Sequence, residues 1–136
     1  MKQIKDIKKK IEWEQYYDPN FDWNNTTLYK DNILSEDFIR EFKDKVDWWY
    51  ISSNQKLSED FIREFQNKVS WAMISFYQTL SEDFIREFQN KVHWNNISLG
   101  QKLSGDFIIE FSTKIDWRYI AKNPNLSKKF REAFQK

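Results

Sequence analysis

A stretch of nine residues with a fixed order of apolar and polar positions, LSEDFIREF, recurs along this chain. It occupies 34–42, 57–65 and 80–88, and its opening Leu returns every 23 residues. A second pattern, Lys-Val/Ile-x-Trp-x-x-Ile, follows each copy. A constant period of this length indicates a repeat architecture. The opening leucines are Leu34, Leu57, Leu80, Leu103 and Leu126.

The LSEDFIREF stretch predicts a short amphipathic helix. Ser35 is a candidate N-cap, and the apolar residues Leu34 and Ile39 stand where a hydrophobic staple requires them. Phe38, Ile39 and Phe42 share one face of this helix, which we expect to be buried. Charged residues on the other face have the i,i+4 spacing of exposed ion pairs. The pairs expected there are Glu36–Arg40 and Glu41–Lys45.

The Trp pattern predicts a second helix of about two turns in each repeat, with Asp47, Ser70 and Asp116 as candidate N-caps. Helices this short are marginal in water when isolated, so each repeat must be stabilised by stacking on the next. We therefore expect an all-α fold, an α-solenoid of about five stacked two-helix repeats. The complete repeats are 34–56, 57–79, 80–102 and 103–125.

The two ends of the chain are degenerate copies, so that 1–136 is predicted to be a single helical repeat domain. In the N-terminal cap unit, 1–33, Trp23 lies 11 residues before the next repeat Leu, whereas the distance is 9 in the other copies. Its first 17 residues predict an amphipathic helix that stops before Pro19. The C-terminal half-repeat, 126–136, places Arg131 where the other copies have a core Ile.

Composition supports an all-helical chain. Aromatic residues make up 18% of it, whereas only 2 Gly and 2 Pro are present, too few for a sheet protein with many tight turns. The absence of Cys excludes disulfides and thiolate metal sites. No stretch resembles a signal peptide or reaches the length of a membrane span. From these features we expect a soluble, cytoplasmic protein.

Charge is unevenly distributed along the chain. The net charge is +1, but residues 1–11 carry +4 and residues 128–136 carry +3, which leaves −6 on the rest. A negatively charged body is a poor match for a phosphate backbone, because non-specific nucleic-acid binding depends on a basic surface. The basic N-terminal segment either lies on anionic lipid or phosphate or is a capping helix with a solvated Lys face. We favour the cap and expect no membrane partner.

The Trp that recurs in every repeat either stacks on bases or sugars or belongs to the core, and its fixed place beside an invariant Ile favours the core. Residues after each Trp and each Ile-Ser change from copy to copy. They are of the types enriched in protein interfaces, although gap filling between repeats or drift on an idle surface would also produce such variation. The candidate partner-binding residues are Trp49, Tyr50, Met73, Phe76, Tyr77, Asn95, Asn96, Ile109, Arg118 and Tyr119.

The fourth repeat departs from the pattern at two positions together. Gly105 replaces the first Glu of the helix and Ile109 replaces its Arg. The change either marks a contact with a partner or a second copy, or reflects drift toward the end of the array.

No catalytic residue, metal ligand or cofactor is predicted. His93 is the only His and has no second ligand cluster, so it is a weak metal or acid–base candidate. No phosphate-binding loop, nucleophile elbow or HExxH motif occurs. We therefore do not expect an enzyme, and a small hydrolase or transferase is the least favoured hypothesis.

The run LSEDFIREFKDKVDWWYIS, with copies LSEDFIREFQNKVSWAMIS and LSEDFIREFQNKVHWNNIS, resembles tandem repeats that recur in proteins of giant DNA viruses and some phages. The resemblance covers residues 34–134 and implies a virus-encoded helical repeat protein, with no functional residues to carry over. We expect a non-catalytic module that engages or inhibits a host protein. The alternative is binding of a nucleic acid or nucleotide by exposed aromatics such as Trp49, Tyr50, Tyr77 and Tyr119.

Overall fold

The computed structural model describes residues 13–133. Within that range the chain forms ten α-helices and no strand, which confirms the all-α repeat array. These residues fall into two compact units with the division after Asp47. The prediction of one domain spanning the whole chain stays a prediction.

The first unit contains a single turn of 3-10 helix at Glu14–Tyr17, followed by α1 at Thr26–Lys30 and α2 at Glu36–Glu41. The helix predicted over residues 1–17 lies mostly outside the described residues. Its predicted end is confirmed, because the backbone is extended at Asp18, immediately before Pro19.

The second unit alternates first helices, formed by the LSEDFIREF pattern, with second helices that begin at the repeated Trp. Its second helices are α3 Trp48–Asn54, α5 Trp71–Tyr77, α7 Trp94–Gly100 and α9 Trp117–Ile120. Its first helices are α4 Glu59–Glu64, α6 Glu82–Glu87, α8 Gly105–Glu110 and α10 Lys128–Glu132. Successive second helices pack against one another, α3 on α5, α5 on α7 and α7 on α9.

The predicted serine caps are confirmed. Each Ser side chain accepts a hydrogen bond from the amide three residues later, as Ser58 does from Phe61 at 3.1 Å. These bonds use free amides of the first turn, which is why the pattern begins a helix at the same residue in every copy. The cap serines are Ser35, Ser58, Ser81, Ser104 and Ser127.

The repeated Trp packs across the joint between two repeats, as the core assignment predicts. The Trp71 ring lies 6.2 Å from the ring of Phe84 and 5.1 Å from that of Phe88, measured between centroids. Its indole Nε1 donates to the carbonyl of Gln66 at 2.9 Å. The ring is half-buried, while Phe84 is fully buried beneath it. Trp48 and Trp94 pack in the same way on the Phe pair of the next repeat, whereas Trp117 is 37% exposed.

The N-terminal copy keeps this geometry despite its different spacing. The Trp23 ring lies 6.3 Å from Phe38 and 5.1 Å from Phe42, close to the distances in the regular repeats. In the regular repeats the second helix begins at the Trp, whereas here α1 begins at Thr26 with Asn25 as its N-cap. The two extra residues are therefore accommodated between Trp23 and α1. The match of this segment to the Trp pattern is therefore confirmed by packing.

A buried Ser hydroxyl also joins consecutive repeats. Ser75 Oγ donates to the Trp71 carbonyl at 2.6 Å and accepts from the His93 amide at 2.9 Å. In the first unit Tyr29 stands one period before Ser52 and makes the same bridge. Its hydroxyl donates to the Trp23 carbonyl at 2.6 Å and accepts from the Asp47 amide at 2.7 Å. Burial raises the pKa of Tyr29.

A row of buried amide side chains runs along the second unit. Gln78 Nε2 donates to the carbonyls of Ser52 and Gln55 at 2.8 and 2.6 Å, and its Oε1 accepts from the Leu57 amide at 3.0 Å. Gln101 repeats these three bonds one period later. We call these residues the amide ladder, and its buried members are Gln55, Gln78, Gln101 and Asn123.

The first helices are joined by charged side chains, which we call the clamp. The Glu59 carboxylate accepts from the Ser81 amide at 2.6 Å and from its hydroxyl at 3.0 Å. The Arg63 guanidinium contacts Glu87 at 2.9 Å and Asp60 at 2.7 Å. Hydrogen bonding to Glu87 raises the pKa of Arg63. Glu82–Ser104 and Arg86–Glu110 repeat the arrangement.

The expected i,i+4 pairing is therefore wrong for α4. Glu59 and Arg63 reach the following repeat instead of each other, because that repeat offers a free cap amide and a carboxylate, while Asp60 lies one turn from the guanidinium. The clamp stops at the last joint. Gly105, Ile109 and Ala133 stand where the preceding joint has Glu82, Arg86 and Glu110.

We expect Arg63→Ala and Glu87→Ala to show a coupling in a double-mutant cycle of stability at low salt, because the pair is bidentate. The coupling should weaken in about 1 M NaCl, because a Debye length of about 3 Å strongly screens the interaction between exposed charges. The exposed Lys128–Glu132 pair, at 3.9 Å, is the control and should show no coupling. Equal coupling at both salt concentrations would contradict the assignment.

None of the helices between residues 13 and 133 combines the length and the apolar character needed to cross a membrane.

Candidate functional site

Each second helix has two chemically distinct sides. In α5 the constant residues Ile74, Ser75 and Gln78 are buried. At 100° per residue they fall within an arc of about 100°, together with Trp71. The residues that change between copies lie on the remaining arc of about 140°. In α5 these are Ala72, Met73, Phe76 and Tyr77.

The corresponding positions of all four second helices define the variable face. Because these helices pack side by side, the positions form one continuous surface within the second unit. Its members are Trp49, Tyr50, Ser53, Asn54, Ala72, Met73, Phe76, Tyr77, Asn95, Asn96, Leu99, Gly100, Arg118, Tyr119 and Lys122.

Two contacts show how neighbouring helices meet at this face. The Asn96 side chain donates to the Ala72 carbonyl at 2.9 Å. A Cβ on Gly100 would lie 2.8 Å from the Phe76 carbonyl oxygen, so only Gly allows this approach. Asn96 thus lies toward the preceding helix, and the second residue after each Trp is half-buried. This group consists of Tyr50, Met73, Asn96 and Tyr119.

The most exposed apolar side chains of the face belong to adjacent helices. Trp49 on α3 is 51% exposed and Tyr77 on α5 is 57% exposed. Each is paired with its neighbour in a T-shaped contact, Trp49 with Tyr50 at 5.1 Å and Phe76 with Tyr77 at 4.7 Å. These contacts fix ring orientation while leaving ring surface open to solvent, as suits a preorganised interface.

Of the remaining residues predicted from sequence, all but Ile109 lie on the variable face. Asn95 and Arg118 are exposed on the variable face, and Phe76 is half-buried there. Ile109 is 73% exposed but lies on the first helix α8, so it does not belong to the face. The structure therefore brings together nine of the ten residues proposed from sequence.

A groove of about 310 Å³ opens beside Tyr77, at the seam between α3 and α5. Tyr77, Lys56 and the apolar Leu57 line it together with polar side chains. The lining residues are Ser53, Asn54, Gln55, Lys56, Leu57, Tyr77, Gln78 and Thr79. Lys56 was not among the residues proposed from sequence, although its recurrence as Lys102 is a signal that could have found it.

The charge of Arg118 is largely compensated at the end of the face. Its guanidinium contacts the Asp116 carboxylate at 3.0 Å. This hydrogen bond lowers the pKa of Asp116, which also caps α9 by accepting from the Arg118 amide. His93 occupies the corresponding cap position of α7 without a side-chain capping bond.

The variable face carries groups that can make apolar contacts and hydrogen bonds. Among residues 13–133 no group of three His, Asp or Glu side chains is arranged to hold a metal ion. The face itself presents aromatic rings, amides, hydroxyls and cationic groups.

The fold and this face define an all-α tandem repeat array with a constant framework and one variable surface. No family model, no curated protein and no solved structure matches the chain.

Proposed function

We propose that this chain is a non-catalytic protein-binding module that engages its partner through the variable face. The observation that carries the proposal is the division of each second helix into a constant side, buried at its Ile, and a changing side whose residues are exposed or half-buried. Repeat proteins bind through such extended surfaces, where a common scaffold presents different side chains from each repeat. Trp49 and Tyr77 are the expected anchors, because Trp and Tyr dominate binding energy in protein interfaces.

The constant residues support this reading because their groups are already used inside the array. Trp71 packs in a joint, Ser75 bridges two repeats, and Gln78 satisfies three backbone groups. The LSEDFIREF helices contribute the serine N-caps and the charged side chains of the clamp. Side chains with a role only toward a partner are therefore concentrated at the variable positions.

A protein partner is favoured over a nucleic acid because arginine side chains of this chain already contact its own carboxylates. Arg63, Arg86 and Arg118 all contact carboxylates of this chain. Arginine is the residue best suited to bidentate phosphate contacts, and these guanidinium groups are already occupied. The resemblance to viral and phage repeats extends the proposal to a host protein as the partner.

The test uses a photo-crosslinking amino acid, benzoylphenylalanine, placed at Tyr77 in the full chain. We expect protein adducts from host-cell extract at this position. An additional Trp49→Ala change should reduce adduct formation about tenfold or more, as expected for loss of an interface anchor. Nuclease treatment should leave the adducts unchanged.

The matched control places the same crosslinker at Asp60, whose side chain is 95% exposed on the first helix α4. It should give no specific adducts. Equal adducts from both positions would refute the variable face as the binding surface, and nuclease-sensitive adducts from Tyr77 would favour the nucleic-acid alternative.

A further inference from the structure

The second helices and the linkers that follow them contain no carboxylate. Asp and Glu make up 21 of the 136 residues, yet none lies in 48–56, 71–79, 94–102 or 117–125. The nine Asp and Glu residues between 48 and 125 all lie in the intervening first-helix segments. The repeat thus separates charge into an acidic side and a carboxylate-free side that includes the variable face.

The cationic groups of the carboxylate-free segments are Lys56, Lys102, Arg118 and Lys122. Arg118 is paired with Asp116, whereas in the described part of the chain no ion pair joins the three lysines to a carboxylate. All three are exposed. They supply positive charge that the fold does not use in an ion pair, and Lys56 lies in the same groove as the exposed Tyr77.

The groove at the seam of α3 and α5 combines these two kinds of group. Lys56 and Tyr77 both line it, so an ammonium and an aromatic ring border one concave surface. Ser53, Asn54 and Thr79 add hydroxyl and amide groups to its lining. A peptide that carries a carboxylate next to an apolar side chain would satisfy both groups at once.

From this arrangement we propose that the variable face takes an acidic peptide segment, with Asp or Glu side chains at Lys56, Lys102 and Lys122 and apolar side chains against Trp49 and Tyr77. The inference rests on the proposed protein-binding function and specifies the chemistry of the partner. Opposite charges steer association and fix register, while apolar contacts supply most of the affinity.

A long polyanion fits this surface less well than a short acidic segment. All carboxylates between 48 and 125 lie in the first-helix segments that alternate with the carboxylate-free segments, so a long phosphate backbone extending beyond the face would meet acidic segments. Lysine ammonium groups act as point charges, which suffice for separate carboxylates. Three lysines without ion pairs also provide few phosphate contacts.

The experiment selects binders from a displayed library of random dodecapeptides on the purified full chain, and then measures their affinity by fluorescence anisotropy. We expect the selected peptides to be enriched in Asp and Glu over the input library. The triple variant Lys56→Gln, Lys102→Gln, Lys122→Gln should weaken binding about tenfold at low salt, as three rim charges would. Lys91→Gln removes an exposed positive charge elsewhere and should change affinity less than about twofold.

The outcomes separate this inference from the proposed function. Selected peptides that need Trp49 and Tyr77 but show no acidic enrichment, and that bind the triple variant equally well, would overturn the inference and leave the function standing. Peptides insensitive to Trp49→Ala and Tyr77→Ala would overturn both. A selection that returns no peptide would overturn the inference, and steeply salt-dependent binding of poly(U) RNA would overturn the proposed function as well.

Discussion

Replacing Trp71 with Ala is expected to lower the free energy of unfolding by about 3 kcal/mol. The indole covers Phe84 and Phe88 of the next repeat and donates to the Gln66 carbonyl, so its removal opens a cavity in a joint and leaves that carbonyl without this donor. We expect the lower part of the range for large aromatic truncations, because the ring is only half-buried. Guanidinium unfolding followed by far-UV circular dichroism measures the effect.

Trp49→Ala is the matched control, since it removes the same ring from the opposite side of the preceding second helix. Its side chain is 51% exposed, and stability should change by no more than about 0.5 kcal/mol. Equal losses for the two variants would refute the separation of framework from variable face. Together with the crosslinking experiment, the pair distinguishes a residue that holds the fold from one that contacts a partner.

Gln78→Glu is expected to destabilise the chain by about 3 to 5 kcal/mol. The replacement keeps the shape of the side chain but places a carboxylate oxygen against the carbonyls of Ser52 and Gln55, which now receive bonds at 2.8 and 2.6 Å. Two buried acceptors lose their donors, and a negative charge is buried beside them. Since Gln78 is only 5% exposed, water cannot relieve either loss.

Gln66→Glu provides the same chemical change at a different site in the same repeat. Gln66 is half-buried and makes a single side-chain hydrogen bond, from Nε2 to the Arg63 carbonyl at 3.1 Å. Its replacement should cost about 1 kcal/mol or less. If both variants unfolded at the same denaturant concentration, the amide ladder would not be a principal source of joint stability.

Much of the fold could be predicted because the same short capping and packing motifs recur in every repeat. The five cap serines and the half-buried Trp are short-range or strongly patterned features, and copies within one chain reveal which positions are constant. Trp23 was recognisable for the same reason, although the absorption of its extra residues before Thr26 required the three-dimensional packing.

The joints were harder to predict because their bonds connect residues about one period apart. Gln78 recurs as Gln55 and Gln101, a signal present in the sequence, yet the residue reads locally as part of a polar linker. Only the structure shows that its amide reaches two carbonyls of the preceding repeat. The clamp was misread in the same way, since Glu59 and Arg63 have the spacing of a helical ion pair and instead contact the next repeat.

The candidate site was predicted in outline through its changing residues. Helical geometry then explains why those residues share one side, while the seam contacts of Asn96 and Gly100 explain why only some of them are exposed. Ile109 was included because it replaces the Arg of the other repeats, and it lies on a first helix. Lys56 was missed although it recurs as Lys102, because its place in a groove beside Tyr77 is visible only in the structure.

The regular joints of the second unit have a consequence for how such a chain can change. The joints made by Gln78 and Gln101 use the same Trp, Ser and Gln contacts, so a segment of 23 residues cut at equivalent positions of these joints has matching ends. Loss or duplication of one segment would join surfaces that already fit, and the stability of the array depends mainly on neighbouring segments. The length of the variable face can therefore evolve in whole modules, independently of the residues that each module displays.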